Sequence, residues 1–270
     1  MRRLIVLPWL VATGCRGLLG IDDPTLASDA GRTDAGTDAG TDAPSFDAAA
    51  CGTADWDMDG TPDGCDPCPQ FADPALDHDS DGDGIGDGCD PYPNKAGDTR
   101  VLWTGFAAAT DIATWSVQTG SWQLTGGRLV QADTLATARI DVPGTWSNIY
   151  AMTEYEVLLA GSSPQAGFCA YVGPSDFRCC DIDMPMQPEL LAWTPAATLV
   201  SVWTGRIDVG TRVALTNLAI DASHTCKVSQ GVLVPLVVKQ VRTATPGAIA
   251  LHTRQMSVAY RYLFVVQTTP

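Results

Sequence analysis

Asp55, Asp57, Asp59, Asp63 and Asp66 occupy positions one, three, five, nine and twelve of "DWDMDGTPDGCD", and Asp79, Asp81, Asp83, Asp87 and Asp90 occupy the same positions of "DSDGDGIGDGCD", 24 residues later. A glycine at position six and a cysteine at position eleven keep the same register. Carboxylates packed this closely repel one another, and neither window holds a Lys or Arg to offset them. A hard divalent cation removes that repulsion, because calcium accepts 6 to 8 oxygen ligands from carboxylates, carbonyls and water. The first three aspartates of each window would face one point, and Gly60 and Gly84 permit the sharp turn that follows. Thr61 and Ile85 would offer backbone carbonyls, Asp63 and Asp87 would act directly or through water, and Asp66 and Asp90 would close the shell. A solvated acidic spacer has no reason to keep such a register. Similar spacing occurs in helix-loop-helix calcium sites, but no amphipathic helix flanks either window.

Residues 51–93 show no apolar periodicity of 2 or 3.6 residues. Metal and disulfides must therefore stand in for a core that the segment does not encode. The stretches "DMDGTPDGCDPCP" and "DSDGDGIGDGCDPYP" resemble thrombospondin type 3 repeats. That resemblance covers 51–93 and implies loops wrapped around Ca2+ and laced by disulfides. It stops at "CDPYP", where a further C-D-x-C-P would continue the array. Cys51 with Cys65, and Cys68 with Cys89, would clamp the first and second loops.

From Val101 onward the texture changes to short β-rich runs such as "WSVQT", "ARIDV", "RVALTNLAI" and "VAYRYLFVV", separated by Gly, Pro and Asn. Many short strands with turn signals between them predict a mainly β chain ending in an antiparallel β-sandwich. "GFAAATDIATWSVQTGSWQLTGGRLVQ" and "QAGFCAYVGPSDFRCCDI" resemble concanavalin-like, laminin-G-like jelly rolls, which implies that fold over 100–270. A hairpin centred on "GPSD" would set Cys180 opposite Cys169 and leave Cys179 to reach Cys226. Four cysteines permit three connectivities.

The net charge of -15 is unevenly spread: residues 1–100 carry 20 acidic and 6 basic side chains, and the remainder 11 and 10. With no basic patch, nucleic acid is excluded as a partner. Arg2 and Arg3, an apolar run from Leu4 to Val11 and small residues up to Gly14 read as an export signal over 1–14. "ATGC" resembles a bacterial lipobox and "GLLGIDDP" the start of myxobacterial envelope lipoproteins, which implies a lipid on Cys15 and anchorage in the cell envelope. Parity agrees, since nine cysteines less Cys15 leave eight to pair. Between them and the windows, the Asp, Ala, Gly and Thr residues of 15–50 have little to bury and are expected to form a disordered tether.

These features predict a lipid-anchored surface protein with calcium loops and a β-sandwich head that binds glycan or protein. No residue is assigned a catalytic role. The alternatives are a carbohydrate-active hydrolase using Glu154 and Glu156, which share a strand face in "TEYEVLL", and a purely structural envelope component. His224 and His252 stand in no nucleophile or metal motif, and most of Trp103, Trp115, Trp122, Trp146, Trp193 and Trp203 are expected in the core. Stable anchorage needs more than one acyl chain. Cys15→Ser should therefore move the protein from the membrane to the soluble fraction, and unchanged fractionation would contradict the anchor.

Overall fold

The computed structural model describes residues 51–134, 137–172, 177–183, 189–194, 198–202, 207–221, 223–229, 236–239 and 246–269. Cys15, the export signal, the tether and Trp203 lie outside the described residues.

Among the described residues, thirteen strands follow the aspartate windows: β1 (Thr99–Thr104), β2 (Ser116–Thr119), β3 (Trp122–Leu124), β4 (Leu129–Gln131), β5 (Thr137–Trp146), β6 (Ile149–Val172), β7 (Arg178–Asp183), β8 (Glu189–Trp193), β9 (Thr198–Val202), β10 (Arg212–Ile220), β11 (Ser223–Ser229), β12 (Leu236–Lys239) and β13 (Gly247–Gln267). All their pairings are antiparallel. The fold is an antiparallel jelly-roll β-sandwich, as the strand pattern predicts.

β6 and β13 run through both layers and pair with each other along most of their length. In its first half β6 has β10 as its other neighbour, and in its second half β7. One layer reads β12-β11-β10-β6-β13-β4-β3, with β1 also on β13, and the other reads β9-β8-β7-β6-β13-β5-β2. Register shifts between Arg254 and Tyr262 mark where β13 passes from one layer to the other. Each such bulge adds a residue and re-aims the side chains that follow.

Alternation along the strands builds the core between the layers. Ala138, Ile140 and Val142 of β5, Ala151, Tyr155 and Val157 of β6, and Val213 and Leu215 of β10 point inward and are buried. Tyr155 and Tyr260 meet edge-on at 5.6 Å in this core, and the Tyr260 hydroxyl donates to the carbonyls of Gly167 and His252 at 3.0 Å each.

The outward face of the first layer is also apolar. Met152, Tyr262, Phe264 and Val266 are buried there beneath Cys68, Ile85 and Cys89, with Trp56, Phe71, Trp103 and Tyr150 packed around them. The windows therefore do have a core, which they share with the sandwich, and this corrects the expectation that metal and disulfides alone would support 51–93. Trp56 is the anchor: its ring lies 5.3 Å from Tyr262 and 6.0 Å from Trp103. Gly105 allows the approach, since a Cβ there would sit 2.4 Å from the indole Cδ1.

Cys51 is bonded to Cys65 and Cys68 to Cys89, as expected. In the head the partners are Cys169 with Cys179 and Cys180 with Cys226, which corrects the predicted Cys169–Cys180 and Cys179–Cys226 pairs. The β6–β7 register sets Cys169 opposite Cys179 and Phe168 opposite Cys180, one residue away from a hairpin centred on "GPSD". A slip of one residue sends every side chain to the other face, so Cys180 turns inward and bridges the two layers to Cys226. Non-reducing peptide mapping should recover Cys169 joined to Cys179, whereas a fragment joining Cys179 to Cys226 would contradict this register.

Candidate metal centre

The two windows fold as copies. In the first, Asp55 accepts the amides of Met58 and Gly60 at 2.8 and 3.1 Å, Asp57 that of Asp59 at 3.2 Å, and Asp59 that of Thr61 at 2.6 Å. In the second, Asp79 accepts the amides of Gly82 and Gly84 at 2.7 and 2.8 Å, Asp81 that of Asp83 at 3.3 Å, and Asp83 that of Ile85 at 3.1 Å. Asp55 and Asp79 thus spend both oxygens on bending their own backbone, whereas Asp57 and Asp81 spend one and leave Oδ2 without a partner. Gly60 and Gly84 adopt φ of 102° and 93°, a conformation that glycine enters without penalty.

The carboxylates gather in four groups, each with ligand oxygens within 4.8 Å of one another. These are Asp55, Asp57 and Asp59; Asp59, Asp66 and Asp77; Asp79, Asp81 and Asp83; and Asp83, Asp90 and Asp98. Each window therefore builds two adjoining groups that share its third aspartate. Asp63 and Asp87, expected as ligands, belong to none of these groups. Asp63 accepts the Trp56 amide at 2.8 Å, and Asp87 accepts the amide and hydroxyl of Ser80 at 2.9 and 2.7 Å, so both brace the loop. Thr61 and Ile85 donate their amides to the shared aspartates, and the Ile85 side chain is buried in the seam.

Asp77 and Asp98 are absent from the predicted set. They escape a register search because Asp77 follows Asp66 by eleven residues while Asp98 follows Asp90 by eight. Asp98 is held in place from the far end of the chain, where its Oδ1 accepts the Thr269 amide at 3.0 Å. Sequence offers one signal for both: an extra aspartate on the C-terminal side of each window.

The second group of each window sits in a poor environment for bare charge. Burial, with Asp77, Asp57 and Asp59 nearby, pushes the Asp66 carboxyl up to about 7. Burial beside Asp83, Asp98 and Asp81 does the same to Asp90, to about 7, and burial next to Asp59 lifts Asp77 to about 6. The buried oxygens Asp57 Oδ2, Asp66 Oδ2, Asp77 Oδ1, Asp81 Oδ2, Asp90 Oδ2 and Asp98 Oδ2 have no hydrogen-bond partner. Such orphans cost free energy unless something satisfies them. Arg100, carried in by β1, approaches but donates to the carbonyls of Asp66 and Gly64 at 2.5 and 3.2 Å. It fixes the loop backbone and leaves these carboxylate oxygens without a partner. An all-oxygen donor set of this kind suits a hard divalent ion.

The alternative sites fare differently. Glu154 is paired with Arg261, and Glu156 with Arg128 at 2.8 Å, so each carboxylate is committed to its own guanidinium. His224 lies 3.4 Å from Cys180 Sγ, but that sulfur is in a disulfide. Burial and the neighbouring Arg178 push His224 down to about 3, which keeps it neutral. His252 is mostly buried against Asp181 at 2.9 Å. Trp103, Trp115, Trp122 and Trp146 pack against one core or the other, as expected, and the Trp193 side chain lies outside the described residues. Beside the first window a cleft of about 360 Å³ opens between Trp56–Met58, Gln70–Ala72 and the sandwich residues Glu154, Ala214, Arg261 and Tyr262.

No family model matches the chain, and no curated protein does. Solved structures share its fold. A Bacillus subtilis protein of unknown function with a galectin-like fold superposes at a TM-score of 0.52 and 10% identity, covering 63% of this chain and 96% of that one. The apo Crh5 transglycosylase follows at 0.51 and 10% identity, covering 63% and 85%. SCLam, a non-specific endo-β-1,3(4)-glucanase from family GH16, matches at 0.50 and 13% identity, covering 64% and 92%. At these identities the likeness is one of fold, and the fold it identifies is the concanavalin-like and galectin-like jelly roll.

Proposed function

We propose that this protein is a calcium-binding lipoprotein of the cell envelope whose β-sandwich recognises glycan. The observation that carries the calcium reading is the repeated set of buried, unpartnered carboxylate oxygens in the two windows. Calcium suits them better than magnesium, because it tolerates irregular shells of many oxygens whereas magnesium demands a near-ideal octahedron. One ion per group would make four, and Asp59 and Asp83 would each help to hold two, since each belongs to two groups.

The glycan reading rests on fold likeness and on the cleft. Among the proteins that share the fold are a transglycosylase and a β-glucanase by name. Recognition is favoured over hydrolysis here because Glu154 and Glu156, the carboxylate pair that the sequence offers for hydrolysis, are each held by an arginine. A glycosidase needs both carboxyls free to reach the scissile bond.

Calcium must displace the protons that burial retains on Asp66 and Asp90 near neutrality. Their folded pKa values lie above the unfolded value, so the metal-free fold loses stability as pH rises from about 4 to about 7. Calcium binding gains affinity over the same interval. Calorimetry should count four ions at dissociation constants on the order of 10⁻⁴ to 10⁻³ M, tighter at pH 7.5 than at pH 5.5. Asp59→Asn and Asp83→Asn should each remove two. A chain that takes up no calcium, or takes it up equally well at both pH values, would overturn the reading.

A further inference from the structure

Met58 and Gly82 hold the same position of the two windows and the same left-handed conformation, with φ of 66° and 83°. Glycine enters that region freely, whereas a side chain there is strained. The first window therefore keeps a methionine where its copy uses the unstrained residue. Met58 gains nothing from packing, since it is 85% exposed, the most exposed large hydrophobic residue described. Strain retained at an exposed position points to use of the side chain, and Met58 stands on the wall of the cleft.

We propose that this cleft binds a neutral saccharide and that calcium in the first window sets its affinity. The proposal rests on the glycan reading above and assigns it a site and a control. Trp56, Met58, Phe71 and Tyr262 supply apolar surface, against which the C–H face of a sugar ring packs. Polar groups in fixed orientations stand between them. The Glu154 carboxylate is held by Arg261, whose guanidinium lies 4.8 Å from the Trp56 ring centroid. Gln70 is 7% exposed, lines the cleft and has a carbonyl oxygen, Oε1, with no partner. An apolar ligand would strip water from the Glu154–Arg261 pair and return no hydrogen bond. An anionic ligand would meet Asp57 and Glu154 against the single cation Arg261. A molecule with hydroxyls around an apolar face satisfies both constraints. The volume, near the lower end of ligand sites, suits one or two sugar rings.

Calcium enters through the backbone. Asp57 belongs both to the cleft and to the first carboxylate group. The amides of Trp56 and Met58 are bonded to Asp63 and Asp55. Neutralising Asp55, Asp57 and Asp59 fixes the turn that presents Trp56 and Met58, and without the ion their mutual repulsion loosens it. The coupling is reciprocal, so saccharide must tighten calcium in the first window by the factor by which calcium tightens saccharide.

The test is a glycan array of neutral, sulfated and uronic oligosaccharides probed with the full chain in calcium and in chelator, followed by titration of the best neutral hit. Chelation should weaken that hit on the order of tenfold, and Glu154→Gln should weaken it about tenfold with calcium stoichiometry unchanged. Met58→Gly should bind calcium at least as tightly as wild type yet lose saccharide affinity, a split that misfolding does not produce. Glu156→Gln, outside the cleft, should change neither. If no oligosaccharide binds, the glycan reading itself fails. If one binds with affinity indifferent to chelator, Glu154→Gln and Met58→Gly, that reading stands and the seam site is overturned, as it also is if only sulfated or uronic sugars bind.

Discussion

Asp66 and Asp90 are withdrawn from water by the same packing that buries Ile85, Cys68 and Cys89 against the sandwich. This is the constraint on which the rest depends. The segment needs the apolar seam because it has too few apolar residues to form a core of its own. Closing the seam desolvates carboxylates that already repel one another, which raises their pKa values and favours the protonated forms. A cation bound at those oxygens, as proposed above, would resolve the conflict at neutral pH. Disulfides alone do not resolve it, since Cys51–Cys65 and Cys68–Cys89 restrict the unfolded chain and leave the charges where they are.

The seam also ties the first window to the sandwich. Trp56 stands inside the first window yet contacts Trp103 of β1 and Tyr262 of β13. A change in the loop is therefore transmitted directly to sandwich residues that line the cleft. The second window has no equivalent: its corresponding residue is Ser80, which is exposed and bonded to Asp87. Of the two copies of one loop, the first lines the cleft through Trp56, Asp57 and Met58.

The loops are legible in sequence because the aspartate bonds that bend each turn are local. An aspartate that bends its own backbone leaves a register that repeats after 24 residues. Asp77 and Asp98 were not legible, because they close their groups from outside the windows and Asp98 is positioned through Thr269, 171 residues away. The strand pattern revealed the sandwich, since inward and outward residues alternate along β5 and β10. The shared seam was hidden in the exceptions to that alternation. "RYLFVV" is apolar on both faces in β13, which signals a strand covered on both sides, but nothing in the run says what covers it. The Cys169–Cys179 pair was missed by a single residue of register, which a turn sequence alone does not determine.

Amide hydrogen exchange across the whole chain, with calcium and with chelator, tests the central claim most directly. If cation neutralisation holds the windows onto a sandwich that is stable by itself, chelation should remove protection from the amides of Met58, Gly60, Thr61, Gly82, Gly84 and Ile85. The paired amides of β6 and β13 between the two layers should keep theirs. Protection in the windows that is unchanged by chelator, or a loss that spreads equally through β6 and β13, would contradict the account.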